Sequence, residues 1–166
     1  MSTTLKRDEV EQLYRTHAKA LVVFASAMLG NQTKAQDIVH QVFLRLIDRP
    51  VSHPENSTAY LYSAVRNAAR NEIRSSNRSV ELEEAQLWFT VEDDKHGMAD
   101  VIGERSLRRA LWGLPEEQRQ IAIMHIWGEL TFAVISQVLG INVNTAASRY
   151  RYALAQLREI MQAKKV

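Results

Sequence analysis

Three arginines, Arg66, Arg70 and Arg74, recur at intervals of four residues, with Asn67 and Asn71 beside them. On a helix, residues four apart share a face. The spacing therefore predicts a ladder of guanidinium and amide groups, which Arg78 extends. Guanidinium forks pair with phosphate oxygens, so such a ladder can lie along a nucleic-acid backbone. Tyr60 and Tyr62 precede it by one to two turns. Aromatic rings beside a basic track are what stacking of unpaired bases requires. The competing reading is a solvated helix face with Glu72 as a local ion partner.

A second cluster lies between Thr131 and Met161. Thr131 suits the N-cap of a short helix, Phe132 to Leu139, which Gly140 ends. Asn142 then caps a longer helix from Val143 to about Gln162. A short helix, a glycine turn and a longer helix form the helix-turn-helix pattern. In the second helix, Ala146, Tyr150, Ala153, Leu154 and Leu157 face inward by spacing. Asn144, Thr145, Ala147, Ser148, Arg151 and Tyr152 face outward or flank that face, and Arg149 can reach a phosphate. Asn, Thr, Ser and Arg are the residue types that contact bases and phosphates in a groove. A helical hairpin that merely packs would show the same two amphipathic helices.

Catalytic constellations are missing from the sequence. The five histidines (His17, His40, His53, His96, His125) are scattered and form no H-E-x-x-H motif. No G-x-x-x-x-G-K-[ST] segment is present to hold a nucleotide. There is no cysteine, which excludes disulfides, thiolate metal sites and a thiol nucleophile. Glu92-Asp93-Asp94 is acidic but has no paired ligands nearby. The expectation is a protein with no catalytic residues, no metal and no cofactor.

The elements that would carry these clusters are helices. Val10, Leu13, Tyr14, His17, Leu21, Phe24, Ala25 and Met28 follow helical spacing, and Gly30 is a stop. Thr33 and Gln36 read as a capping box for a second helix, with Ala35, Ile38, Val39, Val42, Phe43 and Leu46 on one face. After Pro50 and Pro54, a third helix begins near Asn56 or Ser57. Leu107, Ala110, Leu111 and Leu114 predict a fourth. Pro115 at the first position, followed by Glu116 and Glu117, opens a fifth. That fifth helix is apolar nearly all round (Ile121, Ala122, Ile123, Met124, Ile126, Trp127), so it must be buried on several sides or keep a face for a partner. No segment alternates as a strand would.

Charge divides the 166 residues into three blocks. Residues 1–79 hold 11 Lys/Arg against 7 Asp/Glu, net +4; residues 80–104 hold one Lys against eight acids, net −7; residues 105–166 hold 9 against 4, net +5. The net charge of +2 thus conceals two basic blocks around an acidic connector. Opposed blocks of this kind point to a polyanion partner. The fold expected is all-α: a helical domain at 1–79, an acidic linker at 80–104 with an apolar insert at Leu87-Trp88-Phe89, and a helix-turn-helix domain at 105–166. The longest near-apolar run, Ala20 to Leu29, is too short for a membrane span. The N-terminus turns acidic where a signal peptide would turn apolar. Both favour a cytoplasmic protein without membrane insertion.

Four ordered segments give the chain a resemblance. They are Ala35-Gln-Asp-Ile-Val-His-Gln-Val-Phe-Leu-Arg-Leu, Ala59-Tyr-Leu-Tyr-Ser-Ala-Val-Arg-Asn-Ala-Ala-Arg-Asn, Leu114-Pro-Glu-Glu-Gln-Arg, and Leu130 to Arg149. From Leu13 to Met161 the chain resembles a bacterial RNA polymerase sigma factor of the two-domain extracytoplasmic-function (ECF) group. The resemblance implies a region 2 and a region 4. It places Asp37, Ile38, Gln41 and Phe43 at the contact with the polymerase beta-prime coiled coil. It assigns the minus-10 element and its melted non-template strand to Tyr60, Arg66, Asn67, Arg70, Asn71 and Arg74. Asn67 matches a position that reads a flipped base, and Tyr60 stands where relatives often carry Trp. It assigns the minus-35 element to Asn144, Thr145, Ala147, Ser148, Arg149, Arg151 and Tyr152, and the beta flap to the apolar surface of the same domain.

The resemblance also implies an anti-sigma factor as a partner and a linker that threads toward the polymerase active-site channel. Two positions depart from the pattern. Ala147 replaces a frequent Arg or Lys, and Ser136 a frequent Ala. Two other functions fit parts of the chain: a stand-alone helix-turn-helix regulator, and a sigma-like decoy that binds a regulatory protein without DNA.

Overall fold

The structure, a computed structural model, describes residues 4–75 and 105–163. The expectations for the acidic linker, its Leu87-Trp88-Phe89 insert and Arg78 fall outside these residues. Among the described residues there are seven helices: α1 (Arg7–Leu29), α2 (Gln32–Asp48), α3 (Ser57–Ser75), α4 (Arg105–Trp112), α5 (Glu116–Ile126), α6 (Phe132–Leu139) and α7 (Val143–Ala163). No strand occurs among the described residues; Thr4 and Ser52 make one isolated antiparallel bridge. The architecture is all-α, as the periodicity predicts.

Helix ends follow local chemistry. The Asn56 side chain accepts from Ala59 N–H at 2.9 Å at the start of α3. Thr131 accepts from Val134 N–H at 3.2 Å, and Asn142 from Asn144 N–H at 2.8 Å. Gly140 closes α6 with φ 67°, a left-handed conformation that a Cβ would strain. Two ends differ from the sequence reading. The second helix starts earlier than the Thr33–Gln36 box implies, because Asn31 caps it and accepts from Lys34 N–H at 2.9 Å. Thr33 then falls inside the first turn. Pro115 is the N-cap of α5 rather than its first residue, since its ψ of 145° is extended.

Helices α1, α2 and α3 pack on one another, and α4, α5 and α6 each pack on α7. The two groups also meet, α1 against α5 and α3 against α6. The centre of the second group is α5, whose Ile121, Ala122, Ile123 and Met124 are all completely buried. Four successive residues cover every direction around a helix axis, so α5 has no solvent face there. Each large apolar side chain buried in this way contributes ~1.5–3 kcal/mol. The buried apolar residues of both groups form one cluster, from Leu5 to Leu157.

In the first group, the N-terminal strand-like segment is tied down by Leu5 N–H donating to the Val51 carbonyl at 3.1 Å. Phe24 and Tyr62 are tilted against each other, ring centres 5.4 Å apart. His17 of α1 hydrogen-bonds the Thr58 hydroxyl of α3 at 3.3 Å. Burial holds the His17 imidazole below its ordinary value of 6.5. In the unfolded chain His17 therefore takes up a proton at a higher pH than in the fold. Acidification through and below pH 6.5 should favour the unfolded chain, and stability should recover as pH rises. Urea titrations between pH 5 and 8 should show this loss, and His17→Gln should flatten it. A wild-type stability that is level across the interval would show that folding does not lower the His17 pKa.

Candidate nucleic-acid interface

Two surfaces carry the residues expected to contact DNA, one in each group of helices. On α3, Asn67, Arg70, Asn71 and Arg74 are exposed along one side. The apolar side of the same helix (Ala59, Leu61, Tyr62, Val65, Ala69) is buried, which fixes the rotation of the helix and aims the ladder outward. Glu72, the local ion partner suggested by the sequence, instead meets Lys34 of α2, 3.8 Å away. Arg70 and Arg74 themselves are exposed to solvent.

Arg66 departs from the ladder. It is half-buried, and its Nε donates to the Gln120 side-chain carbonyl of α5 at 2.9 Å. Burial lowers its pKa first, and neighbouring Arg70 lowers it further; Glu116 and Glu117 act in the opposite direction. Tyr60 is half-buried and lines a cleft of about 730 Å³ between α2 and α3. Gln41, Arg45, Asn67 and Asn71 line the same cleft. Aromatic, amide and guanidinium groups thus converge on a concave space large enough for a base. Arg45 was not singled out by sequence pattern. Its position on the exposed side of α2, one turn from Gln41, was the available signal.

The helix-turn-helix presents the second surface. Asn144, Arg151 and Tyr152 are exposed, Tyr152 at 66%. Thr145, Ala147, Ser148 and Arg149 are half-buried. Arg149 forms an ion pair with Glu117 of α5 at 2.6 Å. That contact orients the guanidinium at the start of α7 and neutralises part of its charge. Behind the helix, His125 stacks on Phe132 at 4.4 Å and meets Tyr150 edge-on at 4.5 Å. Its Nδ1 is 2.9 Å from the Leu130 carbonyl. This aromatic wedge sets the angle between α6 and α7.

A third surface lies on α2. Asp37 and Gln41 are exposed, whereas Ile38 and Phe43 are 6% and 4% exposed and belong to the core. Phe43 packs edge-on against Tyr14 of α1, ring centres 5.0 Å apart. Beside Asp37 and Gln41 lie Leu44, 63% exposed, and Ile47 and Tyr14, each 39% exposed. They rim a groove of about 330 Å³ with His40, whose Nε2 is 3.3 Å from the Tyr14 hydroxyl. The sequence pattern did not mark Leu44 or Ile47 as functional. Their signal is that both are apolar but off the buried stripe of Ile38, Val39, Val42, Phe43 and Leu46.

Comparison with known proteins gives these surfaces a context. Residues 13–79 match the family model Sigma-70 region 2, and residues 104–157 match Sigma-70, region 4. The ECF RNA polymerase sigma factor EcfG of Rhodopseudomonas palustris is 27% identical over 144 residues, covering 86% of this chain and 79% of that protein. The chain belongs to the ECF group of RNA polymerase sigma factors. Its function is therefore in transcription initiation.

ECF RNA polymerase sigma factor SigL of Mycobacterium tuberculosis is also 27% identical, over 90% of this sigma factor and 87% of the relative. The sigma factor RpoE of Bartonella quintana, solved with the anti-sigma factor NepR, shares the fold with a TM-score of 0.71 at 21% identity, over 95% of this chain and 98% of that one. CnrH, solved with the cytosolic domain of CnrY, gives a TM-score of 0.66 at 20% identity, over 95% and 90%. No helix among the described residues is long and apolar enough to cross a membrane.

Arg149 offers a test of the region 4 surface. Arg149→Ala should weaken promoter binding by the holoenzyme alike across promoters and lower the salt slope by about one. A change in sequence preference instead would make Arg149 a base contact.

Proposed function

We propose that this sigma factor works as a non-enzymatic, cytoplasmic specificity subunit that directs core RNA polymerase to promoters with a minus-35 and a minus-10 element. The observation that carries this reading is the outward ladder of Asn67, Arg70, Asn71 and Arg74 beside the α2–α3 cleft, on the same chain as a helix-turn-helix. The first feature suits single-stranded DNA and the second suits a duplex groove.

The start of α7, from Asn144 to Tyr152, enters the major groove of the minus-35 element. The α3 ladder follows the backbone of the minus-10 non-template strand, and the cleft receives a base. With no nucleotide-binding motif in the sequence, strand opening draws on binding energy alone. Unstacking costs a few kcal/mol per base, which stacking on Tyr60 and contacts with the ladder offset. Asp37, Gln41 and the apolar Leu44 and Ile47 lie on one exposed side of α2 and form the docking surface for the beta-prime coiled coil. Ile38 and Phe43 support it from beneath. CnrH was captured with the cytosolic domain of CnrY and RpoE with the anti-sigma factor NepR, and we extend this to an anti-sigma factor for this chain.

Run-off transcription with core polymerase on a genomic promoter library, with footprinting, tests the whole reading. Asp37→Arg should abolish association with core polymerase while leaving the helical content unchanged, because Asp37 is exposed. Normal assembly of that variant would move the docking surface elsewhere. Asn67→Ala should relax preference at one minus-10 position, lowering discrimination by ~1–3 kcal/mol at most. Selection of promoters from a randomised minus-10 pool reads this directly, and an unchanged logo would remove Asn67 from base recognition.

A further inference from the structure

We propose that α7 reads A·T pairs through thymine methyl groups, with Val143 and Ala147 as the methyl contacts, and that Arg151 takes a single guanine a few base pairs further on. This rests on the sigma-factor reading above, which supplies the duplex that α7 enters.

The rotation of α7 is fixed by its buried side, Ala146, Ala153 and Leu157. Two rows of side chains at four-residue spacing run along the opposite side. One row is Val143, Ala147 and Arg151, and the other is Asn144, Ser148 and Tyr152. Val143 is aliphatic yet 45% exposed, and Asn144 and Arg151 are exposed with it. Ala147 and Ser148 are half-buried in the middle of the rows. The first turn is held by its cap, because Asn142 Oδ1 accepts from Asn144 N–H at 2.8 Å. In a helix-turn-helix, the N-terminal residues of the second helix are the ones that reach base edges.

Base edges in the major groove call for different groups. A guanidinium fork matches guanine O6 and N7, an Asn amide matches adenine N6 and N7, and an apolar group matches the thymine methyl. The first four positions of the two rows are Val143, Asn144, Ala147 and Ser148, none of them a guanidinium. The apolar row suits thymine methyls and Asn144 suits adenine, so both rows specify A·T at this end. Arg149 follows neither row. It lies on the flank toward α5, where its Nη1 is 2.6 Å from Glu117 Oε2. Arg151 is the arginine of the outward rows, and its Nη2 donates to the Ser148 hydroxyl at 3.3 Å, which ties the fork to the same face. Eight residues separate Val143 from Arg151, a rise of about 12 Å. At about 3.4 Å per base pair, the guanine lies about three to four pairs from the first A·T pair.

The full chain assembled with core polymerase would first be run on genomic fragments, and the upstream element of an active promoter then randomised. The selected pool should keep A·T pairs at one end and one guanine about three to four pairs away. Uracil in place of thymine removes only the C5 methyl. At each of the two methyl-read pairs it should weaken holoenzyme binding about fourfold. Val143→Ser and Ala147→Ser should each abolish one of these penalties and leave the other. Ala147→Arg should turn the pair that Ala147 reads into a guanine requirement, by about five- to hundredfold.

A selected element with guanine opposite Val143 and Ala147 would overturn the assignment. So would uracil penalties that are absent or that neither serine variant removes, or an Ala147→Arg pool identical to that of the wild type. Each of these outcomes comes with active initiation, and so leaves the sigma-factor role standing. Initiation on no fragment refutes that role, and the base assignment with it.

Discussion

Helix α5 has no face that water can touch between Ile121 and Met124, and the rest of the structure is arranged around that constraint. An apolar side chain left in water forfeits ~1.5–3 kcal/mol, so a helix with four such positions in succession must be wrapped. Helices α6 and α7 cover part of it, and α1 supplies another wall. The helix-turn-helix angle, the approach of the two halves and the placement of Gln120 all follow from where α5 sits. The polar residues at its first turn, Glu116 and Glu117, then land beside Arg66 of α3, through Gln120, and Arg149 of α7.

That placement gives the acidic turn an electrostatic role. Carboxylates at a helix N-terminus are favoured by the helix dipole, so Glu116 and Glu117 are stable there on local grounds. They also lie opposite arginines that α3 and α7 would turn toward phosphate. The same residues thus serve the helix that bears them and the charge balance around Arg66 and Arg149. Buried Arg119 is a separate case. Its guanidinium lies 4.2 Å above the Trp112 ring and donates to the Trp112 carbonyl at 2.9 Å, binding α4 to α5. Arginine serves as a packing residue at that position, whereas Arg70 and Arg74 of α3 point into solvent.

Helix α2 shows the same separation of roles within one element. Its buried stripe fixes it against α1 and α3, and its opposite side offers Asp37, Gln41, Leu44 and Ile47 to solvent. The family resemblance treated Asp37, Ile38, Gln41 and Phe43 as one group. Burial divides them into two that face solvent and two that hold the helix in place. Spacing alone could have made this division, since 38 and 43 fall on the apolar stripe with 35, 39, 42 and 46.

Much of the fold was legible because its signals are local. Asn56, Thr131 and Asn142 cap the helices they precede, and Gly140 stops α6, through contacts made within three or four residues. The rotation of α3 follows from its apolar stripe, so the outward aim of Asn67, Arg70, Asn71 and Arg74 could be read from spacing. The box at Thr33 and Gln36 misled because Asn31, two residues earlier, makes the cap first. What only the tertiary structure decided are pairings across long stretches of chain. Arg66 and Arg70 look equivalent on a helix, yet one is tethered to a glutamine 54 positions away and the other is free in solvent. Glu117 holds Arg149, and Tyr62 is sealed beneath Gly128, for the same reason. Side-chain spacing determines which residues share a face, whereas what that face meets depends on how α5 must be covered.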